Sequence, residues 1–270
     1  MKKVVCLFAI CLLCLGLVSC SMKYEYDDAR LYTAGNGEMD PETVHAIDID
    51  WISGNVTVKA YDGELLQFSD NSPYPSEENL LHYYLDGDTL KIRFCKSYSF
   101  RLSKPEPKDL EVLVPEAYAD QIAEIAVDTV SAAVFVKDIQ TEELDIDTVS
   151  GGITVDGAAN RASIDTTSGD IALSGAFHEI ETDAVSGTLT AICTECPAAF
   201  EGNSVSGAFQ ITLPEGSEFA CEYDSVSGRI ISDFEGDTAE NDVYKVGVGS
   251  AKFTFDTVSG DLMLSKMGDM

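Results

Sequence analysis

The stretch "IDTVSGGITV", Ile146–Val155, returns along the second half of the chain as "VDTVSAAVFV", "IDTTSGDIAL", "TDAVSGTLTA", "GNSVSGAFQI", "YDSVSGRIIS" and "FDTVSGDLML". Its serine falls at Ser131, Ser150, Ser168, Ser186, Ser206, Ser227 and Ser259, with spacings of 19, 18, 18, 20, 21 and 32. A period near 20 residues with strand-like content is the signature of a solenoid in which each repeat is one coil. The gap of 32 requires an insertion or one degenerate coil, for which "KVGVGSAKF" is the candidate.

Aligned columns show which way side chains face. Six residues before the serine stand Ile125, Leu144, Ala162, Ile180, Phe200, Cys221 and Phe253; three after it stand Val134, Ile153, Ile171, Leu189, Phe209, Ile230 and Leu262. Both columns are apolar and point inward, and on either side of the serine the pattern obeys the two-residue strand period. The intervening "VSG" changes the register, so it reads as a corner. Gly151, Gly169, Gly187, Gly207, Gly228 and Gly260 follow the serine in six of the seven copies, where a sharp bend or a positive φ suits a residue without a Cβ. A single coil buries too little apolar surface to offset its backbone entropy, so each copy needs the next as template.

Upstream, "VHAIDIDWISGNVTVKAYDG" alternates Ile47, Ile49 and Trp51, then Val56 and Val58, and "LHYYLDGDTLKIRF" reads as a hairpin turning at "DGD". The expected fold class is all-β: a single-stranded parallel β-helix (β-solenoid) over residues 119–270, capped by an N-terminal β region over 46–118. Residues 20–45, with "YEYDDAR" and "AGNGEMDPE", lack apolar periodicity and read as a flexible tether.

These repeats, written apolar-x-apolar-x-(T/S)-V-S-G-x-apolar-x-apolar, resemble bacterial envelope proteins of the DUF4097 type, often labelled adhesins. The resemblance covers about residues 45–268 and includes "LEVLVPEAY" ahead of the first full repeat. It implies a parallel β-helix with an N-terminal strand cap and an adhesin-like display role; it implies no catalytic residue.

The chain opens with Lys2 and Lys3, then an apolar run from Val4 to Val18, the pattern of a secretory leader over residues 1–19. That run is shorter than the roughly 20 residues that span a bilayer. Its end, "LVSC", resembles the lipobox of bacterial lipoproteins, which implies lipidation at Cys20. The expected location is therefore extracytoplasmic, lipid-anchored to a bacterial membrane. Removing the leader leaves 15 basic and 47 acidic residues, a formal charge near −32. Such acidity argues against a nucleic-acid partner, which is held by basic contacts to phosphate. Of eight cysteines, Cys6, Cys11 and Cys14 leave with the leader. "CTEC" has redox or zinc-like spacing without a second pair or nearby histidine, so Cys193 and Cys196 read as a local disulfide or as two idle thiols.

Three residues before each serine stand Asp128, Asp147, Asp165, Asp183, Asn203, Asp224 and Asp256, and five before it Asp145, Glu181, Glu201 and Glu222 recur. Neighbours in one column lie about 4.8 Å apart, where two charges repel by roughly 0.9 kcal/mol in water and several times more near protein. Two roles would tolerate this. Each aspartate could cap its own corner through backbone N–H or hydroxyl groups; alternatively Asp128, Asp147, Asp165, Asp183 and Asp224 could collect Ca²⁺ or a cationic partner. No other cofactor is implied. Catalysis is disfavoured, because His45, His82 and His178 are scattered and no G-x-S-x-G elbow is present. The sequence reads as a non-catalytic binding or display protein whose partner is a cell-surface protein, a glycan or a cationic peptide. The alternatives are an envelope-stress sensor or regulatory lipoprotein and, third, a polysaccharide-active β-helix enzyme.

Overall fold

The structure is a computed structural model that describes residues 24–73, 75–98, 106–238 and 243–268. The leader and Cys20 lie outside the described residues. Among those described, no helix is long and apolar enough to cross a membrane.

The repeats form the all-β stack that their period predicts. Ile153–Ser168 lies parallel to Ile171–Ser186, with Ile153 opposite Ile171, Asp165 opposite Asp183 and Ser168 opposite Ser186. Glu124–Ser150 continues the same register, placing Asp147 opposite Asp165. Each coil therefore contributes a strand before the corner and a strand after it, and the stack has two parallel runs. The inward columns are closed to solvent: Ile125, Val134, Ile153, Ile164, Ile180, Leu189 and Phe253 are all buried.

An eighth copy heads the series. Ala46–Tyr61 pairs in parallel with Glu124–Ser150, with Ser53 opposite Ser131 and Val56 opposite Val134. Ile47, Ile49 and Trp51 therefore occupy the inward positions before the corner, and all three are buried. The N-terminal region is thus continuous with the solenoid as well as capping it. Outside this coil lie Thr89–Arg93 and Leu110–Pro115, also parallel to it. The antiparallel strands His82–Asp86 and Leu66–Asp70 close those in turn.

Coil order departs from sequence order at the far end, so the fold is not a strictly serial single-stranded helix. Ala251–Ser259 pairs with Ala199–Ser206 on one side and with Phe219–Ser225 on the other. Leu262–Lys266 likewise lies between Phe209–Leu213 and Ile230–Ser232. The seventh copy is therefore inserted between the fifth and sixth, and the 32-residue gap is the excursion that makes this possible. Part of that excursion, Tyr244–Val246, is not a degenerate coil; it caps Phe219–Ser225 in antiparallel fashion. Side-chain size explains the order. Gly202 leaves a hole beside which a Cβ would meet the Phe255 ring at 2.6 Å, and Phe255 lies 5.1 Å from Phe200 between ring centroids. Phe253 stacks on Phe219 at 5.0 Å. Offset aromatic packing of this kind adds to the burial of the rings themselves.

Residues 24–45 are not the flexible tether expected from their composition. Tyr24 is buried, donates from its hydroxyl to the Asp50 carbonyl at 3.2 Å and accepts from the Phe94 N–H at 2.9 Å. Tyr24, Tyr26, Tyr32 and Tyr84 pack ring to ring. Thr33–Ala34 and Gly37–Met39 add antiparallel strands to the N-terminal cap. Three tyrosines spread over nine largely acidic and polar residues form no apolar run, which hid this docking from sequence patterning.

Candidate binding face

The corner phrase T-V-S-G assigns each residue a separate task. The threonine points inward: Thr129 Oγ1 donates to Thr148 Oγ1 at 2.8 Å, and Thr148, Thr166 and Thr257 are buried. The serine ties neighbouring coils, as Ser131 Oγ donates to the Ile52 carbonyl at 3.1 Å and Ser186 Oγ to the Thr167 carbonyl at 3.4 Å. The glycine admits the adjacent coil's backbone: a Cβ on Gly151 would stand 2.1 Å from the Ala132 oxygen, and one on Gly169 2.1 Å from the Gly151 oxygen. Gly207, Gly228 and Gly260 are equally close to a neighbouring carbonyl. Backbone approach, more than handedness, is what the corner demands, since in this column only Gly187, at φ 131°, and its N-terminal counterpart Gly54, at φ 106°, take positive φ.

The valine points outward. Val130, Val149 and Val226 are exposed at 45%, 52% and 80%, and Val185, Val205 and Val258 are half-buried on the same ridge. Beside that ridge runs the aspartate column. In spatial order it begins with Asp50 opposite Asp128, passes through Asp147, Asp165 and Asp183, and continues as Asn203, Asp256 and Asp224. Asp50 was missed in the sequence because the first copy reads "DWISG" in place of "DTVSG". Asp224 is separated from Asp183 by Asn203 and Asp256, a consequence of the inserted coil.

None of Asp128, Asp147 and Asp165 is hydrogen-bonded to its own corner, so the capping role expected for them is not the one they perform. The strand pleat turns them away from the corner N–H groups and toward solvent. Caps are supplied instead by aspartates near the opposite side of the corner. Asp170 Oδ1 accepts from Thr188 N–H at 2.8 Å, Asp261 Oδ1 from Arg229 N–H at 3.1 Å, and Asp109 Oδ1 from Asn55 N–H at 3.0 Å. The recurrent "SGD" of the third and seventh copies is the signal that could have found the first two.

Crowding in the column alters its protonation. Partial burial, then the neighbouring Asp183 and Asp147, pushes Asp165 up to about 7, although its outer edge faces solvent. Asp50 is pushed up to about 6, chiefly by burial, with Arg93 opposing and Asp128 adding to the rise. Asp128, Asp147 and Asp183 are raised in the same way, first by partial burial. The column therefore carries less than its full formal charge near neutral pH. At its N-terminal end Arg93 grips Asp48 with both guanidinium nitrogens, at 2.8 and 2.9 Å. Farther along, Arg161 pairs with Glu181 at 2.7 Å beside a shallow hollow of about 180 Å³ flanked by Glu179, Glu201 and Lys252.

Among the described residues, no three His, Cys, Asp or Glu side chains converge as a metal centre. The carboxylates lie in a line and do not surround a point. Cys193 and Cys196 are free thiols here, the second of the two arrangements that their spacing left open. Burial pushes the Cys193 and Cys221 thiols up to about 12, which leaves them protonated and unreactive.

No curated protein matches the chain. Several solved structures show a distant likeness to the chain. A candidate adhesin from Bacteroides fragilis NCTC 9343 has 14% identity and a TM-score of 0.49, covering 87% of this chain and 97% of its own. A candidate cell adhesion protein from Clostridium sporogenes ATCC 15579 has 11% identity and a TM-score of 0.36, covering 87% of this chain and 100% of its own. A candidate lipid binding protein from Parabacteroides distasonis ATCC 8503 has 14% identity and a TM-score of 0.31, covering 86% of this chain and 96% of its own. The Toastrack DUF4097 family profile matches residues 42–265, spanning every corner described above, and the chain belongs to that family.

Proposed function

We propose that this is a non-catalytic display protein, anchored outside a bacterial membrane through a lipid on Cys20, that binds a cationic and partly apolar partner along its aspartate and valine columns. The observation that carries this reading is the register-locked run of carboxylates beside a ridge of exposed valines. Strand pairing sets successive members of each column about 4.8 Å apart, so the face offers a row of carboxylates alongside a row of apolar groups. Carboxylates held partly protonated by their neighbours gain from an approaching cation, which restores their charged form. The uniformity of the columns favours binding, since a catalytic centre is a local exception and these columns pass through nearly every coil.

Titration calorimetry with a peptide of alternating lysine and valine tests the reading. Binding is expected to weaken at least tenfold when Asp147, Asp165 and Asp183 are changed together to Asn, and to fall with added salt. Millimolar Ca²⁺, compared with Na⁺ at matched ionic strength, separates an organic cation from a hard metal ion. Undiminished peptide affinity in the triple variant would overturn the proposal.

A further inference from the structure

At the N-terminal end of the stack a lysine and an aspartate face each other with almost no access to water. Lys108 Nζ lies 2.5 Å from Asp70 Oδ2, and the two side chains are 2% and 1% exposed. The ammonium sits over two aromatic rings, 4.9 Å from the Trp51 centroid and 4.6 Å from that of Phe94. It also donates to the Asn79 carbonyl at 2.7 Å. Asp70 Oδ2 accepts the Leu81 N–H at 2.8 Å, whereas Asp70 Oδ1 is buried without a partner.

We infer that Lys108 and Asp70 join in an intramolecular amide, a self-formed covalent link across the N-terminal coil. A buried ion pair bears the desolvation cost of two charges, and an orphaned carboxylate oxygen adds to it. Condensation removes both charges. Burial lowers the Lys108 pKa against the opposing pull of Asp70, which brings the neutral amine within reach. The ammonium passes one proton to the carboxylate, giving an amine and a carboxylic acid in contact. The Nζ lone pair then attacks Cγ, the C–N bond forms and the C–Oδ1 bond breaks. In the tetrahedral adduct the proton received at Oδ2 and one proton from nitrogen pass to Oδ1, which leaves as water while the Cγ–Oδ2 double bond re-forms. No oxidant, metal or other reactant is required.

The surviving atoms keep their partners. Oδ2 becomes the amide oxygen and still accepts from Leu81, and the remaining Nζ–H still donates to Asn79. The atom that departs is the one with no hydrogen bond. Trp51 and Phe94 screen the link from water, which opposes hydrolysis. The bond would span 38 positions of chain, fastening the end of Leu66–Asp70 to the residue that leads into Leu110–Pro115.

Mass spectrometry of the purified full chain, intact and after proteolysis, tests this directly. The expected result is a mass lower than that of the processed sequence by one water, with the Lys108 peptide joined to the Asp70 peptide. The Lys108→Arg variant keeps a cation at that position but lacks a primary amine, and its mass should be undiminished. Recovery of the two wild-type peptides separately and unmodified would overturn the inference, and that readout depends on no variant folding.

Discussion

Two adjacent glycines in the quoted stretch should respond oppositely to the same substitution. A Cβ on Gly151 would lie 2.1 Å from the Ala132 oxygen and 2.8 Å from its carbonyl carbon, whereas one on Gly152 would meet nothing nearer than the Asp170 oxygen at 3.9 Å. Neither residue has positive φ, so backbone handedness does not separate them. To relieve Gly151→Ala, the two coils must part by about 1 Å to approach ordinary contact distance. The nearby bond from Val134 N–H to the Gly152 carbonyl, now 2.9 Å, would then stretch beyond useful length. Losing one or two such bonds in a buried ladder costs about 2–4 kcal/mol. Gly152→Ala carries no clash and restricts the unfolded chain, so it should be neutral or stabilise by about 0.4–1 kcal/mol. Urea denaturation followed by circular dichroism, with equal m-values, measures both. Equal midpoints for the two variants would refute the claim that coil-to-coil backbone contact selects the corner glycine.

Stability should also depend on pH through the aspartate column. With Asp165 near 7 and Asp50 near 6 in the folded state, the native protein holds protons that the unfolded chain releases. The stabilisation is full below about pH 4 and is lost as pH rises through 6 to 7, with about 1 kcal/mol from Asp165 after allowance for solvent screening. A midpoint that does not fall between pH 5 and pH 8, or an unchanged slope in Asp165→Asn, would contradict this. Ending the chain after Ser250 should expose hydrogen exchange in both Phe209–Leu213 and Phe219–Ser225, because the missing coil lies between them; a serial solenoid would lose only its last repeat. Continued protection of Phe219–Ser225 would count against the inserted coil. Cys20→Ala should leave the protein released from the membrane fraction or unprocessed, and full retention of a processed variant would exclude the lipid anchor.

The sequence determined the parts that repeat. Strand period, inward columns and corner position follow from nearest-neighbour chemistry, which each copy restates, so Ile153, Ile171 and Leu189 could be aligned and oriented without coordinates. The acidic column was legible for the same reason, and so was its crowding. Tertiary structure decided what depends on contacts between distant segments. The insertion of Ala251–Ser259 between the fifth and sixth copies rests on Phe255 filling the space left by Gly202 and on Phe253 stacking against Phe219, a match that column alignment does not reveal. The docking of Tyr24 and the burial of Lys108 against Asp70 likewise arise from segments tens of residues apart, without periodic signal. Even the corner glycine needed the neighbouring coil: its place was plain in the sequence, but its reason is a carbonyl oxygen belonging to another turn of the stack.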